Sequence, residues 1–251
     1  MTEQFAGLQV SAARLRRIVE SLHPEQLRLP AYPSEWSIAD VLSHVGAGAV
    51  IMGMRLDTAV GSGELADDFA PAIWDEWNAK TPDEKAADAL AADHALVDRL
   101  GSIIGDGSAP FRVSLGPIEL DFDTFVGLRL NEHVLHTWDI EVALEPTAIV
   151  PAEAARFVVD NLAMIVGFVG KPTGVVHDVH IRTTDPAREF TLSLGAKTDS
   201  LSPATNTAAP DLELPAEALV RLVYGRLDAD HTPIVRGDAD LAELRRAFPG
   251  V

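Results

Sequence analysis

Residues 129–145, with the sequence RLNEHVLHTWDIEVALE, constrain the fold more than any other stretch. The stretch contains no glycine or proline and is rich in residues that favour helices, so it predicts a long α-helix. Apolar residues recur at every fourth position and form one stripe along that helix. They are Leu130, Val134, Trp138 and Val142.

Beside this stripe stand Glu132 and His136, which share one side of the helix because they are four residues apart. A carboxylate and an imidazole stacked against an apolar stripe form half of a metal site. The other ligand must come from elsewhere in the chain, and His44 is the candidate. Asp139, three residues after His136, could fix the tautomer of its imidazole.

Three interpretations of this helix compete. Glu132 with His136 is one ligand pair, and His133 with His136 is another, because residues three apart are also neighbours. In the third interpretation, all three residues lie on a solvated face. We favour Glu132 with His136, since they differ by about 40° around the helix axis and the two histidines by about 60°.

His44 lies in a second predicted helix, residues 38–58, where Ser37 is the expected N-cap and Asp40 completes a capping box. It borders the apolar face of that helix. Taken alone, it is better interpreted as a core histidine bonded to a neighbour, because one histidine carries no spacing information. His94, near the apolar stripe of a third helix, is a weaker alternative ligand.

The other elements complete a bundle. A first helix covers residues 3–22, and a third covers 82–104, after a Thr81 cap and before Gly105. Residues 64–80 read as irregular, and 111–122 as a hairpin. Asp123 or Thr124 is expected to cap the fourth helix. Four helices with one excursion predict a four-helix bundle.

The pattern changes after a short linker at residues 145–150. Predicted helices and strands then alternate as a small α+β domain. The helices are 151–169, 215–227 and 239–247; the strands are 175–183, 189–194, 211–214 and 233–236, with a loop at 195–210. We therefore expect an α+β protein with a helical domain at 1–146 and a small domain at 147–251.

Composition excludes several kinds of function. The net charge of −18 disfavours binding to nucleic acid, because phosphate backbones repel such a surface. The sequence shows neither a signal peptide nor an apolar run of the ~18 residues needed to span a membrane, so we expect a cytoplasmic monomer or homodimer. Cysteine is absent, and any thiol chemistry would therefore need a thiol from outside.

Two motifs carry a resemblance to a known family. WSIADVLSHV at 36–45 and RLNEHVLHTWDI at 129–140 resemble motifs of the mycothiol-dependent maleylpyruvate isomerases, which belong to the DinB-like metal-binding bundles. The C-terminal half is similar to the small sterol-carrier-protein-like domain of that family. The resemblance implies Zn²⁺ or another divalent ion on His44, Glu132 and His136, and mycothiol as the thiol.

Two histidines and one glutamate with an open fourth position are typical of a catalytic zinc site. An ion there would lower the pKa of a bound thiol. In the expected reaction the thiolate adds to the cis double bond of a maleyl-type diacid, the adduct rotates, and the thiolate leaves to give the trans isomer. The segment LVYGR at 222–226 resembles a Gly-Arg motif of the family, and its Arg226 is the candidate carboxylate binder. An equally weighted interpretation is that Arg226 lies at a helix end and interacts with the helix dipole.

Two alternatives stay open. Relatives with this scaffold conjugate thiols to electrophiles, so a mycothiol S-transferase is the first alternative. The second is a non-catalytic protein whose small domain holds a lipid-like ligand on its apolar face, with a purely structural metal.

Overall fold

The computed structural model describes residues 2–33, 35–66, 68–110, 112–204 and 209–250. The chain divides into two compact units, Met1–Ala148 and Ile149–Val251. The first unit is helical apart from one small hairpin, and the second combines helices with a mixed sheet. The predicted α+β class with an N-terminal helical bundle is confirmed.

Four long helices dominate the described part of the first unit. They are α1 (Glu3–Glu20), α2 (Ile38–Ala59), α4 (Pro82–Asp106) and α5 (Phe122–Leu144), with a shorter α3 (Phe69–Ala79) and the hairpin strands β1 (Val113–Leu115) and β2 (Ile118–Leu120) between them. Helix α2 packs against α4, and α1 packs against α5. Both pairs run parallel, because Asp40 and Asp57 of α2 meet Lys85 and Arg99 of α4 in the same order. Ser11 and Arg14 of α1 likewise meet His133 and Glu141 of α5 in order, and the core lies between these helices.

Local capping explains where these helices begin. Ser37 and Asp40 form the predicted capping box of α2, which fixes the start of the helix that carries His44. The prediction that Asp123 or Thr124 caps α5 is wrong. Asp121 is the cap, and its side chain accepts a hydrogen bond from the backbone N–H of Thr124.

Helix α4 extends two residues beyond the predicted end, and Gly107 rather than Gly105 caps it. Gly107 adopts a φ of 74°, a left-handed conformation that glycine reaches without steric strain. Of the predicted hairpin, Phe111 lies outside the described residues, and the paired strands begin at Val113.

The prediction that residues 64–80 are irregular is wrong, because Phe69–Ala79 forms α3. The helix has no side-chain cap hydrogen bond, which removes the usual start signal. Trp77 is buried at its end, and its ring lies against Gly46 of α2, where a side chain would overlap it. Packing of one aromatic residue thus stabilises a helix with a weak local signal.

The second unit has a five-stranded sheet in the order β5-β4-β3-β6-β7. Its strands are β3 (His177–Thr184), β4 (Arg188–Leu194), β5 (Ser200–Pro203), β6 (Leu212–Pro215) and β7 (Arg236–Gly237), and its helices are α6 (Ala152–Val169), α7 (Ala216–Val223) and α8 (Leu241–Ala247). Strands β3 and β6 are parallel, and the other pairs are antiparallel. Helix α7 packs on α6 and contacts β3 and β6.

Three predictions in this unit are wrong in detail. The loop at 195–210 contains β5, whose Leu201 pairs with Leu192 of β4 and is buried. The helix after Pro215 ends at Val223, because Gly225 turns the chain with a φ of 71°. The strand expected at 233–236 is only Arg236–Gly237. Short elements such as these have too few residues to show a period.

Over the described residues, no helix combines the length and the apolar character needed to cross a lipid bilayer.

Candidate metal centre

The structure brings His44, Glu132 and His136 together, although His44 comes from α2 and the other two from α5. One ligand atom from each lies within 4.8 Å of the others. Glu132 Oε2 is at the centre of the group, 3.4 Å from His44 Nε2 and 3.4 Å from His136 Nε2. This is the ligand set that the sequence resemblance implies.

The donor set and its spacing suit a divalent ion. A contact of 3.4 Å is long for a hydrogen bond between nitrogen and oxygen. It is close to the separation of about 3.4 Å between ligands bound tetrahedrally to one ion through bonds of about 2.1 Å. Two imidazole nitrogens and one carboxylate oxygen are also ligands that Zn²⁺ prefers.

Asp139 fixes the orientation of His136. Its Oδ2 accepts a hydrogen bond from His136 Nδ1 at 2.9 Å, and its side chain is fully buried. The other ring nitrogen, Nε2, takes no part in this hydrogen bond and lies beside Glu132. The predicted contact between Asp139 and His136 is confirmed, and it has the geometry that orients imidazole ligands in metal proteins.

One side of the group is open to solvent. The exposed fractions of the side chains are 39% for His44, 46% for Glu132 and 9% for His136. The indole of Trp36 borders the same group, with ring centroids 5.4 Å from His44 and 6.3 Å from His136. The arrangement can accept an additional ligand from solvent, whereas a structural zinc site is closed by four protein ligands.

The charges of the group favour a cation. Burial by itself would raise the pKa of Glu132, but contacts with His136 and His44 outweigh it and hold that pKa well below its usual range. Burial would lower the pKa of His136, but hydrogen bonds to Asp139 and Glu132 outweigh it and raise that pKa. The two carboxylates, Glu132 and Asp139, therefore attract positive charge to this group.

The interpretation that Glu132, His133 and His136 share a solvated face is wrong, because His133 is completely buried. Its Nε2 lies 3.1 Å from Asp93 Oδ2, and its Nδ1 lies 2.9 Å from Ser11 Oγ. His133 is thus a structural residue that joins α5 to α4 and α1, and it does not share the ligand group of Glu132.

Asp93 and Ser11 were missed in the sequence analysis. Asp93 Oδ1 accepts a hydrogen bond from Arg129 Nη2 at 2.7 Å, and the same Nη2 donates to the Val45 carbonyl of α2 at 3.1 Å. We call Ser11, Asp93, Arg129 and His133 the buried polar network. It connects α1, α2, α4 and α5. Its contacts lie next to the candidate ligands in sequence, because Val45 follows His44 and His133 follows Glu132. The one signal for this network in the sequence was an acidic residue, Asp93, on the inward-facing side of α4.

The alternative ligand His94 lies on the solvent side of α4, where its Nε2 is 3.3 Å from Asp98, so it takes no part in the group. His177 and His180, both in β3, contact different carboxylates, Glu243 and Glu189 respectively.

Arg226 lies in the second unit and is buried. Its Nη1 donates a hydrogen bond to the Tyr224 carbonyl at 2.9 Å.

Comparisons with known proteins identify a family and a similar fold. The sequence profile of the mycothiol maleylpyruvate isomerase N-terminal domain matches residues 8–141, more than half of the chain. Among solved structures, a mycothiol-dependent maleylpyruvate isomerase superposes with a TM-score of 0.63 and 13% identity over 89% of this chain and 88% of that chain. A histidine-to-alanine mutant of a mycothiol-dependent maleylpyruvate isomerase superposes equally well at 12% identity.

A curated relative, uncharacterized protein Rv0738 of Mycobacterium tuberculosis, is 28% identical over 159 residues, which are 61% of this chain and 72% of that protein. Its counterpart from a second strain of that organism matches to the same extent. The profile match covers α1 to α5 almost completely, and so includes all three residues of the candidate metal centre. On this match, the chain belongs to the mycothiol maleylpyruvate isomerase family.

Proposed function

We propose that the protein is a metal-dependent enzyme that uses mycothiol, a low-molecular-weight thiol, to act on a small electrophile in the manner of a maleylpyruvate isomerase. The observation that carries this proposal is the open His44–Glu132–His136 group, whose ligand atoms lie within 4.8 Å of one another. Membership of the family and the likeness in fold support it.

In this proposal His44, Glu132 and His136 hold a divalent ion, with Zn²⁺ favoured by the nitrogen-rich donor set. The ion would lower the pKa of a thiol and so make a thiolate available at neutral pH. Asp139 keeps Nδ1 of His136 protonated, so that Nε2 is the nitrogen that faces the ion. The exposed sides of His44 and Glu132 leave room for the thiol and the electrophile.

The thiol must be a cosubstrate, because the chain contains no cysteine. The proposed electrophile is a diacid with a cis double bond. Addition of the thiolate converts this bond to a single bond, rotation follows, and loss of the same thiolate restores the double bond in the trans form. The thiol is regenerated, so the reaction is an isomerisation with no net transfer of atoms.

A dianionic substrate needs a positive partner in a protein of net charge −18. We propose Arg226 for this role, because a guanidinium pairs with a carboxylate through two parallel hydrogen bonds. Gly225, with its φ of 71°, sets the direction of the chain just before Arg226. An Arg226→Lys variant should raise KM for the diacid more than it lowers kcat.

The openness of the group also favours a second candidate, a mycothiol S-transferase, because Glu132 is 46% exposed and leaves space for a bulkier electrophile. In that reaction the adduct would be released as product. A non-catalytic protein with a structural metal is disfavoured, because structural sites have four protein ligands.

The test is metal content together with activity. Wild type should contain about one zinc per chain and isomerise maleylpyruvate only when mycothiol is present. His44→Ala and His136→Ala should lose both the metal and the activity, while His94→Ala, an exposed histidine outside the group, should keep them. Wild type that binds no zinc after reconstitution would overturn the proposal. Accumulation of a thiol adduct would identify the transferase.

A further inference from the structure

Trp36 has an unusual position for a residue just before a helix. It precedes the N-cap Ser37, a position from which an apolar side chain usually packs back onto the first turns of its own helix, here near Val41. Its indole instead lies against two of the proposed ligands from different helices, 5.4 Å from the His44 ring and 6.3 Å from the His136 ring. Those two imidazoles are 4.6 Å apart, so the three rings form one cluster.

The backbone that carries Trp36 is closely tied. Its N–H donates to the Pro33 carbonyl at 2.7 Å, and its own carbonyl accepts from Ala31 at 2.8 Å. Tyr32 then donates to the carbonyl of Asp139 at 3.2 Å, which connects this turn to the residue that orients His136. The backbone at Trp36 is therefore tied by hydrogen bonds to the segment that carries Asp139.

The aromatic cluster is also open to solvent. Trp36 is 36% exposed, and the side chains of His44 and Glu132 are 39% and 46% exposed. Its plane is inclined by only 23° to that of His136. A flat group stacked on the indole would therefore lie nearly parallel to this imidazole, beside the position of an ion held by the three ligands.

We propose that Trp36 is a specificity-determining residue that binds the planar, conjugated part of the electrophile by stacking. This inference rests on the proposed function, which requires an unsaturated carbon to approach the metal centre. Flat π-systems gain from offset stacking on an indole face, whereas a saturated chain of equal charge gains only ordinary apolar contact. The site would thereby prefer unsaturated diacids to saturated ones.

The test compares two dianions of equal charge and carbon number, fumarate, which is planar and conjugated, and succinate, which is saturated. Their dissociation constants are measured by calorimetry on the zinc-loaded protein. Wild type should bind fumarate more tightly than succinate. In Trp36→Leu, the ratio of the two dissociation constants should shift toward succinate by about three- to tenfold. Trp36→Phe should keep most of it, and Trp74→Leu, which changes an exposed tryptophan of α3, should keep all of it.

A second readout locates the indole without any substrate. Co²⁺ should quench part of the wild-type tryptophan fluorescence, and this part should be absent in Trp36→Phe and present in Trp74→Phe. An unchanged preference for fumarate in Trp36→Leu, with Co²⁺ quenching intact in wild type, would overturn the role of Trp36 alone. Failure of wild type to bind Co²⁺ or Zn²⁺ would overturn the proposed function and this inference with it. If Trp36→Leu does not fold, Trp36→Met takes its place and should lose the same preference, whereas an unchanged Co²⁺ signal in Trp36→Phe would contradict the position of the indole.

Discussion

Asp139 Oδ2 lies 2.9 Å from His136 Nδ1, and Asp139 has no solvent-exposed side-chain surface. A carboxylate in this position holds one tautomer of the imidazole and increases its basicity toward a metal. It belongs to the same helix as His136, three residues further on, so the backbone of α5 fixes the pair. The role of this pair can therefore be tested by one substitution at Asp139.

Asp139→Asn should weaken zinc binding by about 10- to 100-fold, because the amide is a poorer acceptor and does not stabilise the ligand orientation. The measurement is competition with a chromophoric chelator at fixed pH. Asp98→Asn is the matched control, since Asp98 contacts the exposed His94 on α4. Equal affinities for the two variants would contradict a supporting role for Asp139.

Metal binding should release protons. Hydrogen bonds to Asp139 and Glu132 raise the pKa of His136, so its imidazole keeps a proton at pH values where an ordinary histidine is neutral. An ion needs the neutral form, so affinity should decrease as the pH falls through this raised pKa. Calorimetry in buffers of different ionisation enthalpy would count the protons, and a pH-independent affinity between pH 6 and about pH 8 would contradict the expectation.

The buried polar network should contribute strongly to stability. Asp93→Asn leaves the Arg129 guanidinium buried without its charged partner, which should lower the free energy of unfolding by about 3–5 kcal/mol. Asp57→Asn breaks the more exposed pair with Arg99 and should change stability by at most about 1 kcal/mol. Urea unfolding monitored by circular dichroism would measure both, and similar values for the two would show that burial of the first pair is unimportant.

Helix α2 offers a pair of glycines for a packing test. Gly46→Ala should destabilise by about 1–3 kcal/mol, because the added methyl would overlap the ring of Trp77 and lie 3.0 Å from the Ala89 Cα. Gly53→Ala has open space and should stabilise the same helix by about 0.5–1 kcal/mol. Thermal unfolding of both variants would test whether close contact between α2 and α3 determines the difference.

The elements that were predicted correctly are those with a periodic or local pattern in the sequence. The long helices follow a sustained apolar period, and the capping boxes at Ser37 and Thr81 are local signals between residues three apart. The pairing of Glu132 with His136 could also be deduced, because helix geometry relates residues four apart.

The features that were missed depend on contacts between distant segments. Helix α3 is stabilised by burial of Trp77 against α2, and nothing within residues 69–79 signals that contact. Asp93 acquires its role only when Arg129 and His133 of α5 pack beside it. The place of His44 beside Glu132 came from a resemblance between motifs, since one histidine has no internal period that would reveal its partner.

Because the candidate metal centre draws its ligands from two helices, an ion could bind there only at a late stage of folding. His44 and Glu132 are 88 positions apart in the chain, so an unfolded polypeptide presents only the adjacent pair Glu132 and His136 at short range. The complete ligand set exists only after α2 and α5 have packed in the closed bundle. Free metal would therefore stabilise the folded protein by mass action. It would have little effect on a chain in which α2 and α5 have not yet packed together.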